Sequence, residues 1–125
     1  MHTTIIRTVG ASGAFTLGGD LPVVLLGYGT MQLPGEGVWG APEAPHEAVR
    51  VIRRAAELGV TFFDPADSYG PFVAEELLKE ALHPYADDVV IAPKAGPTRP
   101  GPGDWQPVGR PAYLRQQARR HLPIR

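Results

Sequence analysis

Three short, unbroken apolar runs separated by stretches of helical spacing restrict this chain to a parallel α/β sheet. The runs are Leu25–Met31, Val60–Phe63 and Val89–Ala92. Between the first two, Ala48, Ile52, Ala55 and Gly59 recur at helical spacing with Val51 and Leu58 beside them, which predicts a helix over Pro45–Leu58. Pro45 suits its first turn, where a missing N–H costs nothing. Gly59 suits the left-handed position after its last turn, and Ala44 is a poor N-cap. Val73, Leu77, Leu78, Ala81 and Leu82 predict a second helix, stopped by His83-Pro84. A third is expected over Ala112–Leu122, with Pro111 at its start. Strands apolar along their whole length are buried on both faces, and alternation with helices makes them parallel. Upstream, Ala14–Leu17 and Leu21–Val24 flank Gly18-Gly19-Asp20, a hairpin pattern. Residues 1–13 are expected to be a flexible leader.

Composition narrows the function. With 43% apolar and 20% charged residues the chain is ordinary for a globular domain. Glycine and proline gather in segments 34–45 and 93–111, which read as loops. The net charge is −1, and the one basic concentration, Arg115, Arg119, Arg120 and Arg125, reads as a solvated helix face. Nothing resembles a nucleic-acid footprint. No run approaches the roughly 18 apolar residues of a membrane span. There is no cysteine, which excludes disulfides, thiolate metal sites and cysteine nucleophiles. The expected location is therefore cytoplasmic, with no membrane or nucleic-acid partner.

In parallel sheets, ligands sit at the C-terminal ends of the strands. Thr30, Asp64, Tyr69 and Lys94 all fall at or just past those ends. No GxGxxG follows the first strand, and Gly27-Tyr28-Gly29 lacks the third glycine, so a Rossmann dinucleotide site is disfavoured. A free tyrosine has a pKa near 10 and gives up its proton poorly near neutrality. A lysine cation a few ångströms away stabilises the phenolate, and a carboxylate on the lysine keeps it charged and in place. Asp, Tyr and Lys together are thus the parts of a tuned general acid for a carbonyl oxygen. The matching hydride source is a nicotinamide.

On these residues the sequence resembles the aldo-keto reductase family. The resemblance is carried by Leu26–Met31, by Glu47–Gly59, by Gly59–Asp64 through Tyr69-Gly70, by Ala74–Leu82 and by Val90–Lys94. It implies an N-terminal β-hairpin and the first three βα units of a (β/α)8 TIM barrel, so that residues 1–125 are the N-terminal part of one barrel domain. It implies NADPH-dependent reduction of small aldehydes or ketones. By that resemblance Asp64, Tyr69 and Lys94 are catalytic, with Tyr69 the acid. Gly29, Thr30 and Met31 line the nicotinamide pocket, and Asp64 touches the ribose.

The family's fourth catalytic residue is a histidine ending strand four, beyond the units read here; His121 falls in the third helix and cannot be it. The family's phosphate and adenine contacts lie mainly near strands seven and eight. A complete barrel takes about 250 residues, rarely under 200. The expectation is a fragment inactive alone; the alternative is a non-catalytic remnant, or a half-barrel that works only by assembly with another chain, with self-association through its open sheet edges. Pro65 and Pro93 stand where the family usually has other residues, and Pro93 removes a backbone donor just before Lys94. Trp39 and Trp105, in strand-end loops, are weaker candidates for a substrate pocket, loop packing being as good an account of them. Asp64 and Asp67 lack the histidines of a metal site, so no metal is expected.

Overall fold

The computed structural model describes residues 8–121. Residues 1–7 of the expected leader lie outside them; Thr8–Ser12 forms a 3-10 helix. The Val9 N–H donates to Leu58 O at 3.1 Å, tying that helix to the end of the first α-helix.

Strands β1 (Ala14–Leu17) and β2 (Leu21–Val24) form the expected hairpin, pairing antiparallel with Leu17 opposite Leu21. The hairpin is fastened to the N-terminal end of the main sheet, where the Val24 N–H donates to Thr61 Oγ1 at 3.1 Å. That sheet is parallel, in the order β3 (Tyr28–Gly29), β4 (Phe62–Asp64), β5 (Val90–Ile91). The first of these is shorter than the apolar run Leu25–Met31 suggests: Leu25 and Leu26 are more than half exposed. Gly27 explains the close approach that follows, because a Cβ there would lie 3.1 Å from Phe62 O.

Helix α1 (Pro45–Glu57) ends as its sequence implies. Gly59 has φ +108°, its N–H donates to Ala56 O, and the Val60 N–H donates to Ala55 O. This is the Schellman closure that a glycine permits. Its buried face differs from the expected one. Val49 and Ile52 are buried while Val51 is 47% exposed. Each residue advances about 100° around a helix, so Val51 lies that far round from Ile52, outside the arc that Ala48, Val49, Ala55 and Ala56 share. Helix α2 (Val73–Leu82) packs beside α1, and Arg53 of α1 donates to the carbonyls of Glu80 and Ala81 at its C-terminal end. Leu33, Val49, Ile52, Val60, Phe63, Leu77 and Leu78 form the core between the sheet and these two helices.

After β5 the chain makes a second small hairpin, β6 (Pro97–Thr98) with β7 (Gln106–Pro107), before helix α3 (Pro111–His121). The segment reads as plain loop in sequence, because strands of two residues with a proline in each carry no propensity signal. Among the described residues no helix is long and apolar enough to cross a membrane.

Candidate active site

The side chains singled out at the strand ends converge. Asp64 is the last residue of β4, and Lys94 lies three residues past β5. Lys94 Nζ is 2.7 Å from Asp64 Oδ1 and donates to Tyr69 Oη at 3.4 Å and to Pro65 O at 3.1 Å. It also lies 5.0 Å from the centre of the Tyr69 ring. Burial pushes the Lys94 ammonium down, but its hydrogen bonds to Asp64 and Tyr69, with their charges, outweigh this and hold it above the usual lysine range. The cation is kept.

Pro93 does not spoil this aim. The N–H groups of Val90 and Ala92 donate to Thr61 O and Phe63 O across the ladder. Alternation along a strand then turns position 93 toward the opposite edge, away from β4, so the missing donor costs no bond in this sheet. Pro65 contributes its carbonyl as a third acceptor for Lys94.

Tyr69 is pinned at both ends of its peptide unit. Its N–H donates to Ala66 O at 3.2 Å, and its carbonyl accepts from Ala74 N–H in the first turn of α2 at 3.1 Å. A turn through Asp67–Tyr69 and the rigid start of a helix therefore fix where the phenol stands.

The residues expected along a cofactor divide into two kinds. Gly29 has open space where a side chain would begin, and Met31 is 51% exposed. Thr30 is wholly buried, and both its N–H and its hydroxyl donate to Asp64 O, at 3.3 and 3.2 Å. Its side chain therefore offers no surface for a ligand in this structure; it holds the strand end that carries Asp64.

Both tryptophans belong to the same neighbourhood. Trp105 meets the Tyr69 ring edge-on at 6.4 Å between centroids, and Trp39 forms a bridge with Gly70. Between them stands Arg99, which sequence reading does not single out. Its Cζ lies 3.7 Å from the Trp105 ring centre and 5.7 Å from that of Trp39. The one signal in the sequence is a lone arginine in a Gly/Pro loop six residues before a tryptophan, which is weak. A cavity of about 200 Å3 lies behind this group, lined in part by Ser68, Phe72 and Tyr113; its walls do not include Asp64, Tyr69 or Lys94. Among the described residues no cluster of three His, Asp or Glu side chains could hold a metal ion.

Comparison with known proteins bears on the family and the fold. Residues 25–124 match the sequence profile of the aldo/keto reductase family. An uncharacterized oxidoreductase of Schizosaccharomyces pombe is 43% identical over 116 residues, 92% of this chain and 38% of that protein. The pyridoxine 4-dehydrogenase of Escherichia coli is 44% identical over 112 residues, 90% of this chain and 39% of the enzyme. Among solved structures, the glycerol dehydrogenase of Gluconobacter oxydans superposes with a TM-score of 0.74 at 28% identity, over 90% of this chain and 36% of that one. An aldo-keto reductase from Bacillus halodurans in its holo form gives 0.72 at 27% identity, with the same coverage. The fold is thus part of a TIM barrel of the oxidoreductase type. The chain belongs to the aldo/keto reductase family. It spans less than two-fifths of the length of these two curated relatives.

Proposed function

We propose that these residues form the N-terminal part, comprising the hairpin and the first three βα units, of an NADPH-dependent reductase of aldehydes or ketones. The observation that carries the reading is the Lys94 ammonium held between the Asp64 carboxylate and the Tyr69 hydroxyl at adjacent strand ends. Asp64 fixes Lys94 and keeps it protonated. Lys94 stabilises negative charge on the phenolic oxygen, so Tyr69 can give its proton to a carbonyl oxygen and recover one from an alcohol in the reverse direction.

The residues present fit the nicotinamide-ribose end of such a cofactor. The bare backbone at Gly29 admits a flat ring, Met31 supplies an apolar surface, and the half-exposed Asp64 carboxylate is an acceptor for a ribose hydroxyl. The bound nicotinamide supplies the hydride. The preference for NADPH over NADH follows the family resemblance. The substrate is a small carbonyl compound, admitted beside Trp39 and Trp105. The similarity to a pyridoxine 4-dehydrogenase favours a ring-borne aldehyde or its alcohol.

A chimera tests the reading. Residues 25–121 replace the matching segment of the E. coli relative, and cofactor-linked turnover is measured. Turnover is expected, and Tyr69→Phe should lower it by about 10²–10⁴-fold, the range of general acid catalysis. A Tyr69→Phe chimera as active as its parent would sink the proposal.

A second reading has its own support. Phe15, Leu21, Leu25, Leu26 and Met31 are exposed apolar side chains on or next to the hairpin and β3. The outer edges of β3 and β5 have no paired strand among the described residues. Both features favour a half-barrel that completes itself by assembly with another chain.

A further inference from the structure

Arg99 stands in a proline-rich segment, yet it is only 8% exposed. A buried guanidinium is costly unless its donors are matched. Here the acceptors are backbone carbonyls drawn from three separate loops. Nη1 donates to Val38 O at 2.8 Å and to Ser68 O at 3.0 Å. Nη2 donates to Gly37 O at 2.8 Å, and Nε to Asp104 O at 3.0 Å. Gly37 and Val38 follow β3, Ser68 follows β4, and Asp104 lies between β6 and β7. One side chain therefore joins the loops that leave all three parallel strands.

Two further observations place this joint beside the chemistry. Val38 has φ +56°, a left-handed conformation that a β-branched residue adopts only at a cost of about 1–3 kcal/mol. Its carbonyl accepts from both Arg99 and the N–H of Gly70, the residue next to Tyr69. The guanidinium carbon of Arg99 sits over the Trp105 ring, 3.7 Å from its centre, and Trp105 in turn meets Tyr69 edge-on.

We propose that Arg99 is a positioning and specificity-determining residue of the carbonyl site. It latches the three strand-end loops and holds Trp105 and Trp39 as an aromatic wall beside Tyr69, a wall that selects planar aromatic carbonyl compounds over open-chain ones. The inference rests on the reading of Tyr69 as the proton donor. Lysine cannot replace this arginine, since a point charge neither reaches carbonyls in a fork nor stacks on indole.

The test uses the whole chain and its two tryptophans. Quenching of their fluorescence by acrylamide reports the wall, and saturable quenching by 4-nitrobenzaldehyde reports occupancy. Far-UV circular dichroism reports the fold. Arg99→Lys is expected to raise the acrylamide quenching constant by about twofold and to weaken the aldehyde by about fivefold or more, the loss of a stacked and hydrogen-bonded anchor. In Arg99→Ala, methylguanidinium should restore the wild-type quenching and methylammonium should not, a rescue that a generic packing role would not give. Should Arg99→Ala fail to fold, Trp105→Leu serves instead. It keeps the four carbonyl bonds and should lose aldehyde affinity with the fold intact.

Unchanged acrylamide quenching in a folded Arg99→Lys chain overturns the latch. Changed quenching with unchanged aldehyde affinity overturns the role in specificity. If the wild-type chain gives no saturable aldehyde signal while its tryptophans respond to Arg99, the reading of a carbonyl site falls and takes the selective role with it. Hexanal displacing 4-nitrobenzaldehyde as well as benzaldehyde does overturns the preference for planar substrates.

Discussion

Gly70 joins the site to the fold, and replacing it with alanine tests how tightly the two are coupled. Its φ is +117°, a region that L side chains rarely enter, so alanine there carries about 1–3 kcal/mol of backbone strain. A Cβ would also lie 2.8 Å from the Val73 nitrogen and closer still to the Val73 side chain at the start of α2. Overpacking of that kind costs about 1–3 kcal/mol more. The neighbouring bonds cannot give way cheaply, because Gly70 donates to Val38 O at 3.1 Å and accepts from Gly40 N–H at 2.7 Å. The expected loss is about 2–6 kcal/mol, a large share of a small domain's stability. Urea unfolding of dilute protein, followed by far-UV circular dichroism, measures it, with Gly29→Ala as the control. Gly29 has no positive φ, and nothing lies within 4 Å of where its Cβ would stand, so its substitution should stay within about 0.5 kcal/mol of wild type. Equal midpoints for the two variants would refute the argument from backbone conformation.

Burial, the nearby Asp67 and then Glu76 raise the Glu75 carboxyl from 4.5 to about 7, against the pull of Arg120. The folded state then holds a proton that the unfolded state lacks between these values, so stability falls as pH rises from about 4.5 to 7, by at most about 3 kcal/mol and by less in proportion to the solvent screening of this part-exposed carboxyl. Urea midpoints measured across that range should flatten in Glu75→Gln; a slope as steep as wild type would show that another group is responsible. The 125-residue polypeptide by itself is expected to oxidise NADPH with 4-nitrobenzaldehyde no faster than its Tyr69→Phe variant. Hydride transfer needs the reacting atoms held within about 3–3.5 Å, and the chain covers only 39% of the dehydrogenase it matches. A rate that disappears on Tyr69→Phe substitution would contradict this. The open edges of β3 and β5 predict concentration-dependent association of that polypeptide, and a sharp monomer at every concentration in sedimentation velocity would count against it.

The helices were legible because period and punctuation agree. Gly59 marks the end of α1 and His83-Pro84 the end of α2, each by a backbone constraint that acts locally. The face of α1 was legible only in part. Val49 and Val51 have the same side chain, and only packing against Phe63 and Leu78 tells them apart. Strand lengths were less legible still, since pairing depends on a partner distant in sequence. Gly29 pairs across from Asp64 while Leu25 and Leu26, equally apolar on paper, stay out of the sheet.

Within the site the same division recurs. The convergence of Asp64, Tyr69 and Lys94 could be read because strand ends are where a parallel sheet presents side chains together. Their supports could not. Thr30 holds Asp64 through a carbonyl, Pro65 meets Lys94 through a carbonyl, and Arg99 gathers carbonyls of Gly37, Val38, Ser68 and Asp104. Every residue carries that group, so the acceptors leave no mark in the sequence. Val38 even points the wrong way, since a β-branched residue argues against the left-handed turn it occupies. Such a conflict between local preference and final conformation is expected where neighbouring structure holds a strained segment for use. At Val38 the holding groups are Arg99 and the N–H of Gly70. The strained residue thus stands between the Arg99 guanidinium and the backbone next to Tyr69.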